Sequence, residues 1–161
     1  MAPYHGVVTD RAAFQVLVLP YRHSAVGLQY ALFRRADAGY WQGVAGGGEA
    51  DESPLQAARR ETAEEAGLVG DHEFVALDAR ATIPVVYVTG EFTWGPEVLV
   101  IPEYAFGVRV EDTEVTLSDE HTRYGWFTLD DAAKAVQWDS NRTALWELDH
   151  RLRHGITHRA A

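Results

Sequence analysis

The sequence predicts an α/β fold in which a mixed sheet is covered by helices on both faces. Three observations predict it. Strand-length apolar or alternating runs recur in both halves of the chain, a capped acidic helix interrupts them in the middle, and an amphipathic helix follows the last strand. With 161 residues, 47% of them hydrophobic and 24% charged, the chain suits one domain over 1–161. Its core is expected over about 10–153, and the tail over 154–161 is expected to fray.

In order, residues 13–20, AFQVLVLP, form an apolar run of strand length, and Gly27 to Phe33, GLQYALF, alternates as its partner across the turn HSAVG. Arg34, Arg35 and the polar turn ADAG follow. Tyr40 to Ala45 is then a short strand leading into a glycine-rich loop. The central helix begins at Ser53-Pro54-Leu55-Gln56: Ser53 caps the Gln56 amide, Gln56 reaches back, and Pro54 occupies the first turn, where no N–H is missed. Gly67 supplies a left-handed stop. His72 to Ala81 and Ile83 to Val88 read as two strands, the second rich in β-branched residues. The segment TGEFTWGPEVLVIPEY holds Gly90, Gly95, Pro96 and Pro102 and reads as a long loop interrupted by a short strand. Glu103 to Val110 alternates again. The acidic, turn-like EDTEVTLSDE leads to a strand from His121 to Phe127. Thr128 to Asp131 caps a short helix through Val136, and Ser140 to Leu152 forms a longer one.

A net charge of −10 and a pI near 5.0 argue against a nucleic-acid polymer as partner, because polyanion binding rests on Lys and Arg neutralising phosphates. A small phosphorylated substrate escapes that objection, since bound cations invert the local field. No run reaches the length of a membrane span, and no membrane partner is expected. With no cysteine there is neither a disulfide framework nor a thiol nucleophile. The Met1 end lacks a basic-then-apolar leader, so the cytoplasm is the expected location. A homodimer is the expected assembly.

The chemistry concentrates between Gly46 and Leu68, GGGEADESPLQAARRETAEEAGL. Glu61, Glu64 and Glu65 fall at i, i+3 and i+4, so three carboxylates project to one side of the helix and call for a positive partner. Mg²⁺, a hard cation held by carboxylates, waters and substrate phosphates, suits them, with Mn²⁺ as a substitute; soft metals lack their ligands here. Leu55, Ala58 and Thr62 give the opposite face a core stripe. Glu52 and Arg60 are spaced to pair and fix the loop against the helix.

This stretch resembles the Nudix box of the Nudix hydrolase family: Gly46, Glu52, Arg60, Glu61, Glu64, Glu65, Gly67 and Leu68 all match its pattern, and only Thr62 departs, at an apolar position. The likeness extends to FRR and YWQGVAGG upstream. QWDSNRTALWEL resembles the end of the dihydroneopterin triphosphate pyrophosphatase branch. The resemblance implies an α/β/α sandwich with a mixed sheet and a metal-dependent pyrophosphohydrolase in which water attacks phosphorus of a nucleoside triphosphate or related nucleoside diphosphate compound. Dihydroneopterin triphosphate is one such substrate. A dinucleoside polyphosphate hydrolase and a non-hydrolytic nucleotide-binding or regulatory domain are the alternatives; the second typically accompanies loss of box carboxylates, and all are present here.

Carried over by resemblance, Glu61 and Glu65 are the main metal ligands, Glu64 a further or water-bridged ligand, and the Ala45 carbonyl an additional oxygen. Gly46, Glu52, Arg60 and Gly67 are structural. Two assignments compete for the general base: a box glutamate, Glu61 or Glu64, or Glu120, whose setting LSDEHTRYGWF resembles the segment that brings a late glutamate to the metal cluster. Glu120 also reads as a surface acid, and His121 beside it as packed or solvated. Arg34 and Arg35 read as phosphate contacts or as an exposed loop pair. Ser140 and Asn141 read as partners of a base or pterin edge, or as helix cap and first turn. Trp41, Trp94 and Trp138 are candidates to stack on a ring or to fill the core.

Overall fold

A computed structural model describes residues 10–88, 90, 92–111 and 115–157. The sheet is laid out against its first strand, β1 (Arg11–Ser24). The end of β1 turns back into β2 (Gly27–Arg35) in antiparallel register, Tyr21 opposite Tyr30 and Ser24 opposite Gly27. The Ser24 hydroxyl closes this turn, accepting from the Val26 amide at 3.2 Å and donating to the Gly27 carbonyl at 3.0 Å. After β3 (Trp41–Gln42), β4 (Val44–Glu49) returns along the first half of β1, with Val18 opposite Val44 and Gln15 opposite Gly47.

The central helix α1 (Pro54–Ala66) is followed by β5 (Phe74–Pro84) and β6 (Val100–Arg109), an antiparallel pair. β6 lies parallel to β1 from Gln15–Glu103 to Tyr21–Arg109, which makes the sheet mixed. β7 (His121–Phe127) pairs with β2, and α2 (Leu129–Ala135) and α3 (Asp139–His154) complete the chain. Two apolar clusters sit on opposite faces of the sheet. Ala57, Ala58 and Ala66 of α1 pack with Val16, Val18 and Val108, whereas Ala144, Leu145 and Leu148 of α3 pack with Leu17, Leu19 and Ala105. Successive residues of β1 point to opposite faces, so one continuous apolar run serves both layers. The two-sided covering expected from the sequence is present.

Two local expectations are corrected. Residues 72–81 and 83–88 are not two strands: β5 runs unbroken to Pro84, because Ile83 and Pro84 continue its ladder opposite Ile101 and Val100, and Val85–Tyr87 is a 3₁₀ turn. β6 correspondingly begins at Val100, not Glu103. Pro102 is tolerated there because the pairing with β1 starts only at Glu103, leaving a side of the strand where a missing N–H breaks no ladder bond. Among the described residues no helix is long and apolar enough to cross a membrane. The part of the expected frayed tail at 158–161 lies outside the described residues; His154 ends α3, and Gly155 caps it at φ 65°.

Candidate active site

The scaffold of the site is local. The Ser53 hydroxyl accepts from the Gln56 amide at 3.2 Å, the Gln56 side chain accepts from the Ser53 amide at 2.8 Å, and Gly67 at φ 69° donates its amide to Ala63 O at 3.1 Å. Arg60 meets Glu52 bidentately, Nε to Oε2 and Nη2 to Oε1, both at 2.9 Å. The same guanidinium donates to Gly47 O at 2.8 Å and to Glu61 Oε1 at 2.9 Å. The pairing keeps the Glu52 carboxyl below the usual carboxylate range and raises Arg60. A single cation thus clasps the glycine loop to the helix.

On the face turned toward β4, Glu61 and Glu65 are buried, at 8% and 4% exposure, while Glu64 stays exposed. Glu65 lies within interaction range of both Glu61 and Glu120, and its Oε2 has no partner among the described residues. Burial is the first cause that raises both buried acids; for Glu65 the neighbouring Glu120 carboxyl and the charges of Glu61 and Glu120 push the same way, while Arg60 partly offsets the rise at Glu61. Gly46 completes the cradle: a Cβ there would fall on the Glu61 carboxyl, well inside van der Waals contact. Among the described residues no three acidic or histidine side chains converge on one point as a ready-made metal site. Glu61, Glu65 and Glu120 neighbour one another instead. A divalent cation fits this oxygen donor set, because it satisfies the orphaned Glu65 oxygen and offsets the mutual repulsion of the carboxyls.

These groups form part of the wall of a cavity of about 1050 Å³ that passes from α1 across Ala45 and Gly46 on β4 to the first turn of α3. Ala45, Glu61, Glu64, Glu65, Glu120, Arg35, Ser140 and Asn141, all singled out in the sequence, line it. Arg35 does so while paired with Asp37, at 2.9 and 2.7 Å, which raises the guanidinium and lowers the carboxyl. Asn141 is buried, and its Oδ1 accepts from the Gly43 amide at 2.9 Å, so half of its amide is already committed to the backbone just before Ala45.

Other expected contacts fall elsewhere. Arg34 is absent from the cavity wall because its Nε is turned to Gly39 O at 3.0 Å. Trp41 is held edge-on to Phe127, with Arg123 over its ring, so it packs in the fold and not on the cavity. Trp94 donates to Arg11 O at 2.6 Å; only Trp138 of the three tryptophans reaches the wall. Ser140 is not the helix cap, since α3 starts at Asp139 after Trp138. His121 is buried against Phe33, with neither ring nitrogen partnered among the described residues, and burial lowers it.

The sequence reading missed Arg11, Gln15, Gln42 and Glu103. Arg11 lies over Gly47 within the electrostatic reach of Glu61. Glu103 is 4% exposed and accepts from Gln15 Nε2 at 3.0 Å across the parallel β1–β6 register. Gln15 and Glu103 are polar residues within the otherwise largely apolar strands β1 and β6, and a polar residue in such a run was the available signal for these two.

A sequence model of the NUDIX domain matches residues 10–146. The chain is similar to the asymmetrical bis(5'-nucleosyl)-tetraphosphatase of Sus scrofa, 34% identical over 108 residues that cover 67% of this chain and 69% of that one. It is also similar to the dihydroneopterin triphosphate diphosphatase of Haemophilus influenzae, 26% identical over 116 residues covering 71% and 73%. Among solved structures, a NUDIX hydrolase from Listeria monocytogenes superposes with a TM-score of 0.81 at 36% identity, covering 91% of this chain and 98% of that one.

Proposed function

Starting from the premise that this chain belongs to the NUDIX hydrolase family, we propose that it is a divalent-cation-dependent pyrophosphohydrolase cleaving a phosphoric anhydride in a nucleoside triphosphate or a related nucleoside diphosphate compound. The observation that carries this reading is the cluster of neighbouring carboxyls, Glu61, Glu65 and Glu120, at the wall of a cavity large enough for a nucleotide. Glu61, Glu65 and Glu120, with Glu64 and the Ala45 carbonyl, would hold Mg²⁺ or Mn²⁺. Bound there, such a cation neutralises anhydride oxygens and eases deprotonation of water.

The chain's own residues supply the rest. Arg60 holds Glu61 in place and Glu52 holds Arg60. Arg11, and Arg35 in its pair with Asp37, bring guanidinium groups to the cavity wall where phosphate oxygens would lie. Glu64 and Glu120 are the exposed carboxylates of the set, so they are the ones an attacking water reaches and the better candidates for general base; buried Glu61 serves better as a ligand. The 34% identity to a dinucleoside tetraphosphatase favours a dinucleoside polyphosphate as a second substrate type.

The test is turnover of a nucleotide panel that includes dinucleoside tetraphosphate and dihydroneopterin triphosphate, with Mg²⁺ and then with excess chelator. Metal-dependent turnover is expected, read as pyrophosphate or phosphate from the triphosphates and as two mononucleotide products from dinucleoside tetraphosphate, and lost by orders of magnitude in Glu65→Gln. Tight binding of one member with no turnover would instead indicate a binding domain. Comparing Glu61→Gln, Glu64→Gln and Glu120→Gln by rate and by metal affinity separates ligand from base.

A further inference from the structure

One buried acidic group in the cavity, Glu103, has no part in the chemistry described above. Glu103 lies on the α3 side of the sheet, across β4 from the glutamates of α1, and is as buried as Glu65. A carboxylate at 4% exposure is costly unless its lone pairs are filled. Gln15 fills one, and the Ser140 hydroxyl is the other hydrogen-bonding neighbour. A carboxylate accepts about four bonds, so capacity remains on a group that lines the cavity. No cation is paired with it in the ion pairs of the described residues. The remaining partner is therefore expected to be neutral and donor-rich.

The surroundings narrow the partner's shape. Trp138 and Tyr87 stand at the same cavity, 39% and 65% exposed and 6.0 Å apart between ring centroids, with Tyr40 edge-on to Trp138 at 5.7 Å. Exposed rings grouped this way offer a stacking surface for a flat heterocycle. Asn141 has its oxygen committed to Gly43 and meets Ser140 Oγ only at 3.5 Å, so its Nδ2 remains a donor. The wall thus presents carboxylate acceptors beside an amide donor.

We propose that Glu103 is the ring-selecting residue of this cavity, accepting paired N–H bonds from the donor edge of a 2-amino-4-oxopyrimidine, the edge that guanine and pterins share. On that edge an N–H and an exocyclic amino group lie side by side, matching a carboxylate bidentately, and the neighbouring carbonyl oxygen suits the Asn141 amide. Adenine puts an acceptor nitrogen beside its amino group, and that acceptor would face a carboxylate lone pair. The inference rests on the reading of the cavity as a phosphoanhydride site, and it names the ring that such a substrate carries.

The test separates the two by measuring ring recognition without phosphate. Binding of guanosine, neopterin, inosine and adenosine to the intact protein is followed by tryptophan fluorescence and calorimetry. Inosine lacks only the 2-amino group of guanosine, so it probes the proposed contact with no change to the protein. Guanosine or neopterin is expected to bind at least about tenfold more tightly than inosine and adenosine, the scale of a hydrogen bond to a charged group; which of the two is favoured identifies the source of the ring. In Glu103→Gln, whose amide replaces one acceptor with a donor, that preference should fall to within about twofold. Equal binding of guanosine and inosine by the wild-type protein would overturn the inference even if triphosphates are hydrolysed. Guanosine selectivity lost in Glu103→Gln would uphold ring selection even if no nucleotide were turned over.

Discussion

Gly46 faces Glu61 with no room between them: the position a β-carbon would take on Gly46 overlaps the Glu61 carboxyl. The glycine is thus a steric condition for the carboxyl's placement, separate from any turn it makes.

A methyl group at this position should displace the carboxyl while leaving the helix cap and the core untouched. Gly46→Ala is expected to lower kcat/KM by about 100-fold, the scale of an ångström-size misplacement of a reacting group. Far-UV circular dichroism should be unchanged. A variant with wild-type turnover would refute the steric role.

Arg60 binds Glu52, Gly47 O and Glu61 together. Arg60→Lys keeps the charge but cannot reproduce the bidentate fork. Its urea midpoint should correspond to a loss of about 1–3 kcal/mol, since hydrogen bonds to half-buried charged groups are broken. Magnesium affinity should fall with it, because Glu61 loses its orienting partner.

Glu61 and Glu65 are raised in the metal-free protein, chiefly by burial. At pH values below the ordinary glutamate range both are protonated in the folded and unfolded states, and stability is at its highest as far as these two groups are concerned. As pH rises through that range the unfolded chain releases these protons while the folded one keeps them. Stability from these two groups therefore falls with rising pH until their folded values are passed. Magnesium binds the deprotonated pair, so its effect on Tm should be larger at pH 8 than at pH 5. Thermal scans with and without MgCl₂ measure this, and Glu65→Gln should weaken the trend. A magnesium shift that does not change with pH would contradict the account.

Away from the cavity, the buried Tyr30 hydroxyl donates to Asp149 Oδ1 at 2.7 Å, and Arg153 donates to Oδ2 at 2.7 Å. Tyr30→Phe leaves a buried acceptor short of one bond and should cost about 1–3 kcal/mol in urea unfolding. Turnover per folded molecule should be unchanged.

What could be read from the sequence was local. The Ser53–Gln56 box, Gly67 and the spacing of Glu61, Glu64 and Glu65 are contained within one helix and its two ends, where chain neighbours are also spatial neighbours. The split wrongly placed between residues 81 and 83 concerns a ladder to Val100 and Ile101, which no local propensity reports. Glu103 and Gln15 meet across 88 positions, and Trp41 was drawn into packing by Phe127, a partner from the far end of the chain. Sheet order decides such contacts, and sheet order is a tertiary property.

The bond from Gly43 to Asn141 has a mechanical result. It fastens the leading turn of α3 to the bend between β3 and β4, two residues before Ala45. Remodelling that turn to admit a differently shaped ring would drag on the backbone beside the acidic cluster. Altered taste for substrate and altered speed should accordingly arrive as linked traits in this enzyme, and a designer wanting the first alone would have to leave position 141 in place.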